Sequence, residues 1–260
     1  MIIVVALAAL FGLAVGSFLN VVVWRVPRGE SVVSPPSACP RCGHRIRARH
    51  NVPVVGWLVL RGRCHDCGEP IARRYPLVEA ATGVAFGLVT WLAGVSWELP
   101  ALLYLAAISI ALALIDLDCR RLPDAVVLPS YAVGSGLLAL AAWNPGGEPE
   151  WAALLRAGMG GFVLLSVYFL LLVVYPGGMG FGDVKLAGVL GIYLGYAGWA
   201  ALVVGWFSAF LLGGLYALVL MVAGRAGRRT SVPFGPWMLA GAWAGLLVGD
   251  VVGRWYVSLL

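Results

Sequence analysis

The chain alternates long stretches free of charge with short charged segments. No Asp, Glu, Lys or Arg occurs in 1–24, 80–97, 99–115, 125–147, 157–182, 186–224 or 230–249. A transmembrane helix needs roughly 20 apolar residues. The 39 residues of 186–224 are long enough for two, with a break near Gly195-Tyr196-Ala197-Gly198. The windows 80–97 and 99–115 are short, and Glu79 and Glu98 mark their ends. The pattern predicts an all-α, polytopic membrane protein with about eight transmembrane helices.

Composition agrees. Of 260 residues, 61% are hydrophobic and 12% charged, and the mean hydropathy is +0.92. Soluble domains carry about 25% charged residues. These values exclude a disordered chain, a coiled coil and a secreted disulfide mini-protein. The net charge of +6 matters less than its placement. Segment 25–76 holds ten Arg, so it is predicted to be cytoplasmic, with the N-terminus outside. Alternating spans then place Arg120, Arg121, Lys185, Arg225, Arg228 and Arg229 inside as well. Only Arg156 and Arg254 fall outside, and seven spans would break this pattern. Met1-Ile2-Ile3-Val4 lacks the basic start of a signal peptide, and the apolar run ends at Trp24-Arg25. The expected division is therefore a first transmembrane helix (1–24), a cytoplasmic loop (25–76) and a transmembrane bundle (77–260).

The loop is rich in Arg, Pro and Gly and contains Cys39-Pro-Arg-Cys42 and Cys64-His-Asp-Cys67, each followed by glycine. Two C-x2-C pairs supply the four thiolates of a tetrahedral zinc ribbon. The other readings are two disulfides, which a reducing cytosol disfavours, or four free thiols. A loop of about 50 residues has too small a core to fold easily alone, so a structural zinc would supply the missing free energy. Cys119 has no partner in sequence and is expected to be a small packing residue. A basic, metal-stapled loop also resembles a nucleic-acid ribbon. Topology and anionic headgroups already account for the Arg residues, so no nucleic-acid partner is expected.

Among the twelve acids, Glu79, Asp116, Asp118, Asp124 and Asp183 fall at predicted cytoplasmic ends of spans. Ionisable groups there are costly and are functional candidates. One group is Ile115-Asp116-Leu117-Asp118-Cys119-Arg120-Arg121-Leu122-Pro123-Asp124. The other is Gly178-Met179-Gly180-Phe181-Gly182-Asp183-Val184-Lys185, where three glycines let the backbone bend sharply. Two aspartates that share one proton can activate water for peptide cleavage. Asp183 starts a helix, where the dipole favours the anion and hence a base; Asp116 ends one and would be the acid. The plainer reading makes these acids caps and ion-pair partners of Arg120, Arg121 and Lys185. It suits Asp118 and Asp124, and Asp116 is the deeper of the Asp116–Asp118 pair.

Together with further motifs, these residues resemble the type IV prepilin peptidases, intramembrane aspartic proteases of the Gly-x-Gly-Asp class. The match runs from Gly16-Ser17-Phe18-Leu19-Asn20 and Arg25-Val26-Pro27 through both cysteine pairs. It continues through Asn51-Val52-Pro53, Gly56-Trp57-Leu58, Arg61-Gly62-Arg63-Cys64 and Arg74-Tyr75-Pro76-Leu77-Val78-Glu79. It ends with the Asp116 group, Gly178–Lys185 and Pro233-Phe234-Gly235-Pro236. The resemblance implies an enzyme of the bacterial plasma (inner) membrane. Such enzymes cut the basic leader of type IV prepilins and type II secretion pseudopilins after a glycine, at the cytoplasmic face. It maps the catalytic aspartates onto Asp116 and Asp183. It also implies N-methylation of the new terminus with S-adenosylmethionine, for which no binding motif is visible. Gly180 and Gly182 would shape the backbone beside the pair. Lys185 would tune Asp183 or reach toward headgroups. Glu79 would bind the substrate amine, brace the ribbon or be a plain interfacial acid. Two other classes compete: a transporter or channel using its acids as an ion relay, and a scaffold that recruits partners through the ribbon.

Overall fold

The structure, a computed structural model, describes residues 1–175, 177–225, 227 and 233–259. The described residues form helices, with no strand longer than an isolated bridge. In chain order these are α1 (Ile2–Arg25), the single turn α2 (Val55–Val59), α3 (Arg74–Ala93), α4 (Leu99–Cys119), α5 (Asp124–Trp143), α6 (Trp151–Val174), α7 (Phe181–Ala197), α8 (Trp199–Val222) and α9 (Gly235–Val257). Short 3-10 turns lie at Val26–Arg28 and Ala48–His50. Seven helices among the described residues are long and apolar enough to cross a bilayer. The eighth long helix, α7, has 17 residues. At 1.5 Å per residue it spans about 25 Å, less than the roughly 30 Å hydrocarbon core.

The chain divides into two compact units, Met1–Ala111 and Leu112–Leu260, with α4 running across the boundary. In the first unit α1 lies along α3 at close range. A Cβ added to Gly16 would come within 2.7 Å of Glu79 Cα, and one added to Gly83 within 2.8 Å of Leu13. Lipid gives helices no hydrophobic reason to associate, so small residues that let backbones touch take over that role.

In the second unit α7 is the hub, packed by α5, α6, α8 and α9. Twelve of its 17 residues are buried, which is why a helix too short for the full bilayer is tolerated. Gly160 and Gly161 of α6 face Gly188, Gly191 and Gly195 of α7; a Cβ on Gly160 would lie 2.5 Å from Gly191 O. The α8–α9 contact repeats this, with Gly241, Gly245 and Gly249 against Ala201, Gly205 and Ala209.

Two helix starts differ from the charge-free windows, and the predicted break between the two spans of 186–224 is found where expected. Helix α3 begins at Arg74, so Glu79 lies inside it and is buried rather than marking its start. Helix α6 begins at Trp151 and contains Arg156, whose guanidinium donates to Gly195 O and Tyr196 O at 2.9 and 2.8 Å. It therefore caps the C-terminal end of α7. The break in 186–224 falls at Gly198, with φ of 153°. Cys119 is exposed at the end of α4, not packed. Arg228 and Arg229 lie outside the described residues.

Candidate active site and metal centre

In the second unit, Asp183 sits in the first turn of α7 and is 9% exposed. Its position follows from the glycines before it. Gly180 is the extended residue preceding the helix; its N–H donates to Asp183 Oδ2 at 2.8 Å, while Asp183 N–H donates back to Gly180 O at 3.1 Å. This reciprocal pair is a helix-capping arrangement. Gly182 sits tightly against Leu122: a Cβ there would lie 3.0 Å from Leu122 Cβ, and the leucine would have to yield by a few tenths of an ångström. A Cβ on Gly180 would meet only ordinary contacts, the nearest at 3.6 Å.

Asp116 is 5% exposed, near the C-terminal end of α4. The chain then turns through Arg120, at φ 51°, whose N–H closes on Asp116 O at 2.8 Å. Leu122 follows, tucked inward. Asp116 Oδ2 accepts the N–H of Gly235 at 3.0 Å. Gly235 opens α9, so this N–H is one of the free donors of a helix N-terminus. Leu122 touches the ground of both acids: a Cβ on Gly235 would be 3.3 Å from Leu122 Cδ2 and 2.8 Å from Asp116 Oδ2. The segment Pro233-Phe234-Gly235-Pro236 carries no polar side chain that would mark it as part of a site. The only signal was a glycine at a helix start, whose backbone donor has no side chain to announce it. This donor also removes the distinction drawn from helix ends, because both carboxylates now meet helix N-terminal N–H groups.

Asp118 is exposed. Asp124 and Lys185 pair, Nζ reaching Oδ1 at 2.7 Å and Oδ2 at 2.8 Å. Lys185 is therefore not left to reach headgroups, and Asp124 does not cap α5. In the first unit, Glu79 Oε2 accepts Val54 N–H at 2.6 Å. Val54 is a β-branched residue at φ 61°, and Val55 N–H closes on Pro53 O at 2.6 Å around it, a strained γ-turn. Glu79 thus braces the loop.

The loop's four cysteine sulfurs lie within 4.8 Å of one another. Each pair is built alike. Gly43 N–H returns to Cys39 O and Gly68 N–H to Cys64 O, with both glycines at φ 72°. Isolated bridges Ala38–Arg45 and Arg63–Pro70 close the two turns. Cys39 and Cys67 sulfurs are 3.8 Å apart, and sulfurs about 2.3 Å from one zinc would be about 3.8 Å apart. The N–H groups of Cys42 and Arg41 pull the Cys39 thiol down to about 7. The Glu69 N–H acts the same way on Cys67, but desolvation and the neighbouring thiols push it up to about 12. Crowded sulfurs of this kind fit a metal such as zinc, which relieves their repulsion. His65 stacks on His50 at 4.5 Å and contacts Asp66, outside the sulfur cluster.

Residues 10–93 match the bacterial peptidase A24 N-terminal domain, and residues 103–218 the type IV leader peptidase family. The chain is 37% identical to the prepilin leader peptidase/N-methyltransferase of Pseudomonas aeruginosa, over 96% of this chain and 92% of that protein. It is 38% identical to the protein of that name from Neisseria gonorrhoeae, over 98% and 95%. It is 35% identical to the one from Stutzerimonas stutzeri, over 96% and 93%. No solved structure matches. Sequence matches along almost the whole length, on a helical membrane bundle with paired cysteines and buried aspartates, show that the chain belongs to the type IV leader peptidase family and is a multi-pass membrane enzyme.

Proposed function

We propose that this enzyme cleaves the leader from type IV prepilins or pseudopilins after a glycine, at the cytoplasmic face of the bacterial inner membrane, with Asp116 and Asp183 as the catalytic pair. One observation carries this: two buried aspartates of one unit are each held through Oδ2 by a glycine N–H, with Leu122 against Gly182 and Gly235. Oδ1 of each remains unengaged among the described residues.

The pair holds one proton between them, since close like charges do not both ionise readily. The ionised carboxylate takes a proton from water as its oxygen attacks the scissile carbonyl carbon. The protonated one gives its proton to the carbonyl oxygen. In the collapse of the tetrahedral intermediate the C–N bond breaks and the leaving amine takes up a proton. One water is consumed, giving the leader carboxylate and a free N-terminus. Equivalent helix N-terminal donors mark neither aspartate as the base, so the pair acts as a unit.

The four cysteines would hold a structural zinc. It would cross-link the two turns of the loop and take no part in cleavage. We extend to this chain the methyl transfer in its relatives' names, with S-adenosylmethionine as donor and the new N-terminus as acceptor. The groove of about 440 Å³ lined by Arg45, Arg47 and Asn51 carries no feature specific to a sulfonium donor. No residue is therefore assigned to that step. The transporter and scaffold readings are not favoured in a family of peptidases.

The test is cleavage of a pilin precursor by the purified protein in detergent. Asp116→Asn and Asp183→Asn should each abolish processing while leaving folding and metal content intact. Unchanged processing in either would end the pair. Transfer of a labelled methyl group in the same mixture tests the second activity.

A further inference from the structure

The Asp124–Lys185 ion pair joins the two segments that carry the aspartates. Asp124 lies eight residues after Asp116, across the turn that includes Leu122, and Lys185 lies two residues after Asp183. Lys185 is gripped at three points. Its Nζ donates to both oxygens of Asp124, at 2.7 and 2.8 Å. The same ammonium lies 4.9 Å from the centre of the Phe181 ring, one turn back on α7. Its backbone carbonyl accepts the hydroxyl of Tyr131, two turns along α5 from Asp124, at 2.6 Å. Gly188 supplies the room for that hydroxyl, since a Cβ there would collide with it.

We propose that Asp124, Tyr131 and Lys185 form a positioning clamp that sets the register of the first turn of α7 against α5, and so the placement of Asp183 relative to Asp116. This rests on the catalytic reading of the pair. The side chains of Lys185 and Asp124 are 24% and 55% exposed. An ion pair that open to solvent contributes little to folding, so its value lies in placement. The Lys185 charge is matched by the carboxylate it touches, so the pair acts on Asp183 through geometry.

The experiment uses the full chain in detergent with a pilin precursor, measuring kcat and KM alongside the thermal midpoint. Lys185→Met and Asp124→Asn are each expected to lower kcat about 10- to 100-fold, the range for a misplacement near 1 Å. KM should stay within about twofold, since the interaction lost is not one made with bound substrate. The double variant should be no slower than the slower single, as expected of residues acting as one unit. The exchanged pair, Asp124→Lys with Lys185→Asp, should recover at least about tenfold over the singles. Lys185→Arg, which keeps the charge and can bind the Asp124 carboxylate but carries a longer planar head, should retain at least about tenfold more kcat than Lys185→Met. Tyr131→Phe should lower kcat with KM unchanged. Wild-type kcat in the singles, additive losses in the double, or no recovery in the exchange and in Lys185→Arg would each overturn the clamp. Should Lys185→Met unfold, the Lys185→Arg and exchange results, set against Asp124→Asn, decide. Failure of the catalytic reading is separate: it appears as cleavage by Asp116→Asn or Asp183→Asn.

Discussion

Gly235→Ala separates catalytic placement from fold stability. The added Cβ would lie 2.8 Å from Asp116 Oδ2, where ordinary contact begins at 3.4 Å, so the carboxylate must retreat by about 0.6 Å. The same movement stretches the 3.0 Å bond from Gly235 N–H. The obstructing atom is the end of a side chain with two torsions and gives way at little cost; unfolding should shift by less than about 1 kcal/mol, below the usual range for an overpacked core. The reacting geometry has no such slack. A displacement of this order near the chemistry costs about 10- to 100-fold in kcat, or about 1.4–2.7 kcal/mol of transition-state stabilisation. The assay is initial-rate cleavage of a pilin precursor in detergent, with kcat and KM resolved and the thermal midpoint measured on the same sample. A kcat equal to wild type would refute the idea that the start of α9 fixes Asp116. A loss of activity matched by loss of the folded state would show that Gly235 serves packing alone.

Gly160→Ala should do the reverse: its Cβ would sit 2.5 Å from Gly191 O and 2.8 Å from Gly195 Cα, where only backbone can move. A loss of about 1–3 kcal/mol is expected, read as a lower thermal midpoint. Glu79→Ala removes the charged acceptor of Val54 N–H and should destabilise the segment 48–62 by about 1.5–3 kcal/mol, seen as faster hydrogen exchange there. Val54→Gly relieves a φ of 61° that costs a non-glycine residue about 1–2 kcal/mol, so exchange in the same segment should not accelerate. Zinc affinity should rise with pH. Cys67, pushed up to about 12, keeps its proton at neutral pH and must release it to a metal, and Cys39 reprotonates below about 7. Metal retention at pH 6 equal to that at pH 8, measured by competition with a chromogenic chelator, would contradict this.

The apolar stretches announced the helices because a bilayer imposes length and composition directly. Gly198 announced the α7–α8 break because no other residue takes that backbone turn as readily. The paired cysteines and both aspartates were also visible as strings. What the sequence concealed was the backbone's part. Charge-free windows misplaced the starts of α3 and α6 because Glu79 and Arg156 lie inside helices, each satisfied by main-chain groups of another segment. A rule that stops helices at charges does not anticipate such partners. The small-residue seams of α6–α7 and α8–α9 were equally silent, since glycine counts as neither polar nor strongly apolar.

Those seams bear on the chemistry. Gly195, near the far end of α7, lies twelve residues from Asp183, about 18 Å along a helix. There Arg156 holds the last carbonyls of α7, and a Cβ on Gly195 would strike Arg156 O at 2.5 Å. At the near end Lys185 binds Asp124 and Tyr131. A buried helix fixed at both ends transmits displacement along its axis, because a packed core has little room to absorb it. Asp183 is thus placed by contacts along the whole of α7. By the same logic Asp116 is placed by the packing that seats the N-terminus of α9. Backbone contact between small residues, which substitutes for hydrophobic association in lipid, would then also hold each carboxylate of the proposed catalytic pair in place.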